Sequence, residues 1–127
     1  MKLRAYDPDI QTVVNRIKDE DLDLQPDFQR GSVWNVKKKQ LLIDSILRDW
    51  HIPPVHVVSQ GNGGKDEVLD GQQRLSAIFE FCVDEFPVNG KFQPLDDSIT
   101  SLDGLVFSQL PRDVLRKLNK FFHTFIL

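Results

Sequence analysis

The sequence is poor in cysteine and in long apolar runs, and it has no surplus of positive charge. Cys82 is the single cysteine among 127 residues, so no internal disulfide can form. No stretch approaches the roughly 20 apolar residues that span a membrane. The N-terminal MKLRAYDPDI also lacks the apolar core of a secretory signal. These absences favour a cytoplasmic protein without a membrane partner.

The net charge of −3 argues against a domain held on nucleic acid by bulk charge, although a local basic patch stays open. Hydrophobic residues make up 40% of the chain and charged residues 28%, which is an ordinary globular composition. The length suits a single domain over residues 1–127. The apolar ending FFHTFIL is unusual for a natural C-terminus, so we expect the N-terminal part of a longer protein.

Apolar residues at helical spacing predict four helices. The first runs from a cap at Asp9 to about Asp21, and the second from a cap at Asn35 to about Trp50. The third follows Asp70-Gly71, and the last begins near Pro111.

β-branched and turn residues predict the strands. A short extended piece precedes PDFQRGSVW, VHVVS and EVLD form a hairpin, and HTFIL is a final strand. Asn89-Gly90 indicates a second hairpin, followed by a polar loop from Asp96 to Asp103. The sum is a mixed α/β or α+β domain with a small sheet flanked by helices.

The junction Asp70-Gly71-Gln72-Gln73-Arg74 is the strongest chemical candidate. The first N–H groups of a helix have no partner inside it and carry the positive end of its dipole, so they attract phosphate. Gly71 would let a ligand approach, and Arg74 would bind phosphate oxygens in pairs. Asp70 would hold Mg²⁺ or orient a water as the catalytic residue. The competing interpretation is structural: Asp70 caps the helix, Gly71 turns the chain, and the other side chains are solvated.

Two further groups of polar residues invite attention. Gln29 and Arg30 lie in a loop shaped by proline and glycine, and the alternative is that Arg30 pairs with a surface carboxylate. Lys37, Lys38 and Lys39 oppose the dipole at the start of the second helix, which an anionic partner would offset. The alternative for these lysines is a solvated face.

Other chemistry is poorly supported by the sequence. His51, His56 and His123 lack the spacing of a metal motif, so we predict no resident metal site. Cys82 falls on an apolar helix face and is expected to pack in the core. No nucleophile, histidine and acid set can be assembled from the residues.

Two strings in order carry a family resemblance. LQPDFQRGSVWNVKKKQLLIDSILRDWHIPPVHV and then EVLDGQQRLSAIFEF resemble the N-terminal domain of GmrSD-type modification-dependent endonucleases. Relatives of that domain include sensors of the Ssp phosphorothioate and BREX-associated phage-defence systems. GLVFSQLPRDVLRKL resembles the segment that usually follows. The family belongs to the ParB/sulfiredoxin-like superfamily.

The resemblance implies nucleotide chemistry at the same junction. In such domains the motif is linked to binding or hydrolysis of a nucleoside triphosphate, which controls a nuclease. Carried over, Gly71 and the amides of Gln72 to Arg74 would cradle phosphates, Arg74 would clamp them, and Gln29 and Arg30 would close the site. Nothing in the chain resembles the HNH-type nuclease domain that many such proteins carry, so we do not expect these residues alone to cut DNA.

Three hypotheses follow. The first is a regulatory domain that binds, and in one version hydrolyses, GTP, ATP or CTP with Mg²⁺, beside a nuclease domain or subunit. The second is a DNA-binding or modification-sensing module that uses Lys37 to Lys39 and Arg30. The third is an assembly piece with a degenerate site, and a homo-oligomer is compatible with all three.

Overall fold

The computed structural model describes residues 4–24, 33–59, 65–119 and 124–126. Five strands form one mixed sheet in the order β1-β5-β3-β4-β2. The strands are β1 (Arg4–Tyr6), β2 (Leu22–Asp23), β3 (Val55–Val58), β4 (Asp66–Asp70) and β5 (Thr124–Ile126). β1 pairs antiparallel with β5 and β4 antiparallel with β3, whereas β5 runs parallel to β3 and β2 parallel to β4.

Helices lie between these strands along the described part of the chain. They are α1 (Ile10–Lys18), α2 (Val36–Leu47), α3 (Gln72–Cys82), α4 (Asp97–Thr100) and α5 (Arg112–Leu118), with a 3₁₀ turn at Phe107–Gln109. The predicted α+β class, a small sheet with flanking helices, is confirmed.

Side-chain caps fix where the first two helices begin. Asp9 accepts a hydrogen bond from Thr12 N at 2.8 Å, and Asn35 accepts one from Lys38 N at 2.9 Å. Because each cap satisfies an N–H group that the helix cannot, both starts match the prediction. The hydrogen bonds from Thr12 also lower the pKa of the Asp9 carboxyl group.

The core lies where α1, α2 and α3 meet the sheet. α3 contributes several fully buried side chains to this core, Phe81 among them. The ring of Phe81 lies 5.5 Å from that of Phe86 and 5.9 Å from that of Phe107. Burying one such side chain contributes about 1.5–3 kcal/mol to folding. Residues that α1, α2, α3, β3 and β4 bury in this core include Ile10, Val13, Val14, Ile43, Ile46, Leu47, Val55, Val57, Val68, Leu75, Ile78 and Phe81.

Two local predictions are wrong. Asn89-Gly90 does not make a hairpin: Gly90 packs on α4, where an added Cβ would come within 2.8 Å of Ile99 O and 2.9 Å of Thr100 Cα. The expected polar loop instead contains α4, because Asp96 accepts a hydrogen bond from Ser98 N and caps that turn. Tertiary packing overrides turn propensity at Gly90, whereas a local side-chain cap starts α4.

Candidate functional site

The candidate site is built where β4 passes directly into α3. β4 ends at Asp70, Gly71 takes the left-handed conformation with φ of 102°, and α3 begins at Gln72. Gly71 occupies the N-cap position and has no side chain to donate or accept a capping bond. The structural alternative in which Asp70 caps the helix is therefore wrong.

Gly71 is required by internal packing as well as by its backbone angle. A Cβ at this position would lie 2.8 Å from Cγ2 of Val55 and 3.2 Å from Nη2 of Arg74. The close approach that glycine permits is thus an approach of β3 to the turn, which sequence reasoning assigned to a ligand.

Asp70 presents an exposed carboxylate beside two cationic or protonatable groups. Its side chain is 67% exposed, and Oδ2 lies 3.6 Å from Nδ1 of His56 and 3.7 Å from Nη2 of Arg74. A β-bulge creates this arrangement: Val57 pairs with Val68, whereas His56 pairs with Asp70, so Leu69 is the extra residue.

The guanidinium group of Arg74 is held by a hydrogen bond, but not all of its N–H donors have acceptors among the described residues. Its side chain is 17% exposed, and Nη2 donates a hydrogen bond of 2.9 Å to the carbonyl oxygen of Pro54. Nε is buried and has no hydrogen-bond acceptor within the described part of the chain. Among the described residues, the carboxylate within ion-pair distance is that of Asp70, which lies beyond hydrogen-bond distance and is largely exposed to solvent. Within that part of the chain, Arg74 is therefore not held by a buried carboxylate.

The side chains of Gln72 and Gln73 form hydrogen bonds with backbone atoms around the turn. Gln72 Nε2 lies 3.1 Å from the carbonyl oxygen of Val68 and 3.2 Å from that of Leu69, and donates to both. Gln73 Oε1 accepts a hydrogen bond of 3.3 Å from Trp34 N. The first intrahelical backbone bond of α3 runs from Leu75 N to the carbonyl oxygen of Gly71.

The structure does not bring the other predicted residues into this junction. Gln29 and Arg30 lie outside the described residues. Lys38 places Nζ 4.9 Å from the centre of the Trp34 ring, Lys39 forms an ion pair of 2.8 Å with Glu80, and Lys37 is exposed.

A divalent cation would find one suitable protein ligand here. Among the residues that the structure describes, no group of three or more His, Cys, Asp or Glu side chains could hold a metal ion. Mg²⁺ bound to a nucleotide needs only one or two carboxylates because phosphates and waters supply the rest. Asp70, with its exposed carboxylate, fits that single role.

His56 is the residue that sequence reasoning missed. The hairpin itself was predicted, but continuing the register of Val57 with Val68 would place His56 opposite Leu69. The bulge places Asp70 opposite His56 instead, and no residue of EVLD predicts a bulge.

The comparison with known families decides the identity of the fold. A family model described as the GmrSD restriction endonuclease, N-terminal domain, matches residues 10–126, from the start of α1 through β5. The chain belongs to this family. The resemblance inferred from the two sequence strings is therefore confirmed.

Membership in the GmrSD N-terminal domain family connects the chain with restriction and with an associated nuclease. No curated protein and no solved structure matches the chain. None of the described helices is long and apolar enough to span a membrane.

Proposed function

We propose that this GmrSD-family domain binds a nucleoside triphosphate at the junction of β4 and α3 and thereby regulates its nuclease. One observation carries the proposal: Arg74 lies in the first turn of α3, whose N-cap residue, Gly71, makes no side-chain cap hydrogen bond.

The electrostatics of that turn favour an anion. A cation in the first turn of a helix opposes the dipole by about 0.3–1 kcal/mol. A phosphate between the guanidinium and the amides would interact favourably with both, since a guanidinium binds phosphate oxygens in pairs. The contact of Arg74 with Pro54 O holds the guanidinium at this turn before any ligand arrives.

Asp70 would act in two ways in such a complex. As an exposed carboxylate it supplies one ligand to the Mg²⁺ that accompanies a triphosphate. It also stands 3.7 Å from Arg74 Nη2, so an arriving phosphate competes with it for the guanidinium. Both roles require the β-bulge that points Asp70 outward.

Gln29 and Arg30 are proposed to close the site from the opposite side. Trp34 follows Arg30 by four residues and is hydrogen-bonded to Gln73 in the first turn of α3. Four residues span at most about 14 Å. A connection of this length is short enough for the role proposed for Arg30.

Titration calorimetry with ATP, GTP and CTP in the presence of Mg²⁺ tests the binding. We expect one of the three to bind wild type, and Arg74→Ala to weaken it by at least about tenfold, which is 1.4 kcal/mol. Arg74→Lys should lose part of the affinity because an ammonium cannot bind phosphate oxygens in pairs. Thermal melts of both variants check the loss of the Pro54 contact.

The matched control is Arg16→Ala. Arg16 is also a partly buried arginine with a carboxylate partner, Asp66, at the far end of β4. This variant should bind nucleotide like wild type. Heats that are absent from wild type, or equal in wild type and Arg74→Ala, would end the proposal.

Hydrolysis is a separate step, and Asp70 is the residue proposed to orient the attacking water. Asp70→Asn keeps the size of the side chain but removes its charge. We expect phosphate release to fall by about 100-fold, within the range for positioned acid–base groups, while nucleotide still binds. Wild-type release no faster than that of Asp70→Asn would restrict the domain to binding.

DNA binding through Lys37 to Lys39 receives less support. Lys38 is engaged with Trp34 and Lys39 with Glu80, so two of the three charges already have partners in the fold. A gel shift at two salt concentrations distinguishes the functions, because backbone binding weakens steeply as salt rises.

A further inference from the structure

A cavity lies between α1 and α5, away from the nucleotide junction. Its volume is about 420 Å³, within the range of about 300–1,000 Å³ typical of ligand pockets. The floor is apolar and comes from α2 and α3, through Ile43, Ile46, Ile78 and Phe81. Such a floor binds apolar groups, and nothing in the proposed nucleotide chemistry uses it.

The walls have the periodicity of two helix faces. α1 lines the cavity with Ile10, Val14 and Lys18, which are spaced by four residues. α5 lines it with Arg112 and Arg116 at the same spacing. The α1 wall is therefore about two helical turns long, or roughly 12 Å, and the α5 wall about one turn, or roughly 6 Å.

The rim carries unpaired positive charge. Lys18, Arg112 and Arg116 are exposed, and within the described residues none of them has a carboxylate at ion-pair distance. Three such cations stand out on a chain whose net charge is −3. Their natural counterpart is a set of carboxylates that flank an apolar stripe.

We propose that this groove docks an acidic amphipathic helix of a protein partner. Apolar side chains on one helix face would enter the cavity, and carboxylates beside them would meet Lys18, Arg112 and Arg116. A helix laid in an apolar groove is a recurrent mode of recognition, and none of the residues that line this cavity lies in a strand to which an extended segment could pair.

Cys82 provides a built-in reporter of occupancy. It lines the cavity and is the only cysteine of the chain. Burial raises the pKa of its thiol to about 11, and the nearby positive charge of Lys18 opposes that rise. The thiolate is the reactive form, so alkylation should quicken about tenfold for each pH unit up to that value. A bound helix would cover the thiol and slow the reaction.

The test measures alkylation of Cys82 by iodoacetamide at pH 9. The probe is a synthetic peptide of about 18 residues, long enough to be helical. It carries leucines at i, i+3, i+4 and i+7 and glutamates on either side. A matched peptide replaces every glutamate with lysine. We expect the acidic peptide to slow alkylation at least fivefold and the lysine peptide to leave it unchanged.

Two variants separate charge from shape. Arg112→Glu with Arg116→Glu should reverse the preference between the peptides. Lys117→Glu changes a neighbouring exposed cation that does not line the cavity and should leave the preference intact. Arg112→Glu alone is also informative, because an acidic residue in the first turn of α5 suits the helix dipole and preserves the fold.

Three results would overturn the docking proposal. They are equal protection by both peptides, no protection by either, and protection by decanoate where the acidic peptide gives none. The last would assign the cavity to a small amphipathic acid. Each result is independent of nucleotide binding, which can succeed while docking fails.

Discussion

At the scale of the residue, Gly71 joins packing to the candidate chemistry. Its φ of 102° allows β4 to turn into α3, and its missing Cβ makes room for Val55 and for the guanidinium of Arg74. A Cβ at position 71 would press against the guanidinium of Arg74. Stability and the proposed ligand binding therefore require the same residue here.

Gly71→Ala should destabilise the fold by about 2–3 kcal/mol, as unfolding by urea would measure. Backbone strain at positive φ contributes about 1–2 kcal/mol, and overpacking against Val55 adds the rest. Gly104→Ala is the control, because Gly104 also has a positive φ, of 82°, but an added Cβ there meets nothing within 4 Å.

The comparison isolates the contact with Val55. Gly104→Ala should cost only the backbone part, and Gly71→Ala should cost less in a Val55→Ala background than in wild type. Equal losses for the two alanine variants would show that Val55 does not constrain the turn.

The residue types predicted the junction of β4 and α3 but not the residues that contact it from β3 and the segment before it. Asp70, Gly71 and Arg74 stand together in the sequence, so their proximity needed no fold. His56 and Pro54 reach them only across the hairpin, and the positions depend on a bulge at Leu69. Such bulges arise from sheet packing and leave no local signature.

At the scale of the element, α1, α2 and α3 end in the same way. The residues after their C-caps, Glu20, Asp49 and Asp84, have φ values of 60°, 61° and 64°. In each case the N–H of that residue and of the next one satisfy carbonyl oxygens of the last turn. This is the left-handed helix ending in which glycine is normally preferred, and here acidic residues occupy it.

Glu20→Gly should stabilise the protein by about 1 kcal/mol, because glycine relieves the left-handed strain and removes a negative charge from a helix C-terminus. Asp84→Gly should bring no such gain, since Asp84 Oδ1 accepts a hydrogen bond of 2.9 Å from Ser108 N. Denaturant midpoints measure both. A stabilisation by Asp84→Gly as large as that by Glu20→Gly would contradict this account.

Helices with a side-chain cap and a clear apolar face were predictable. Asp9 and Asn35 satisfy amides a few residues away, so local sequence contains the whole interaction. Asn89-Gly90 has an equally local turn signal, but Gly90 N donates to Asp103 and the chain packs on α4. Contacts between residues distant in sequence overrode the local preference there.

At the scale of the whole molecule, the sheet depends on pairings that no local pattern reveals. β1 lies at one edge only because β5, about 120 residues later in the chain, inserts between it and β3. Sequence analysis predicted β5 but not β1, since Arg4–Tyr6 has no period long enough to mark a strand.

α3 links the two surfaces proposed to bind partners. Its first turn forms the nucleotide junction, and its second half, through Ile78 and Phe81, forms the floor of the groove. About 10 Å of one helix separates Arg74 from Phe81. The two proposals thus place ligand and partner on a single helix, as regulation of one by the other would require.

The central claim is that a triphosphate lies against the first turn of α3. Amide ¹H–¹⁵N spectra of the protein, titrated with a non-hydrolysable triphosphate and Mg²⁺, test it most directly. We predict that the amides of Gly71 to Arg74 shift most and that those of α5 stay in place. A titration that leaves the amides of Gly71 to Arg74 unmoved, or that moves another surface instead, would contradict the account.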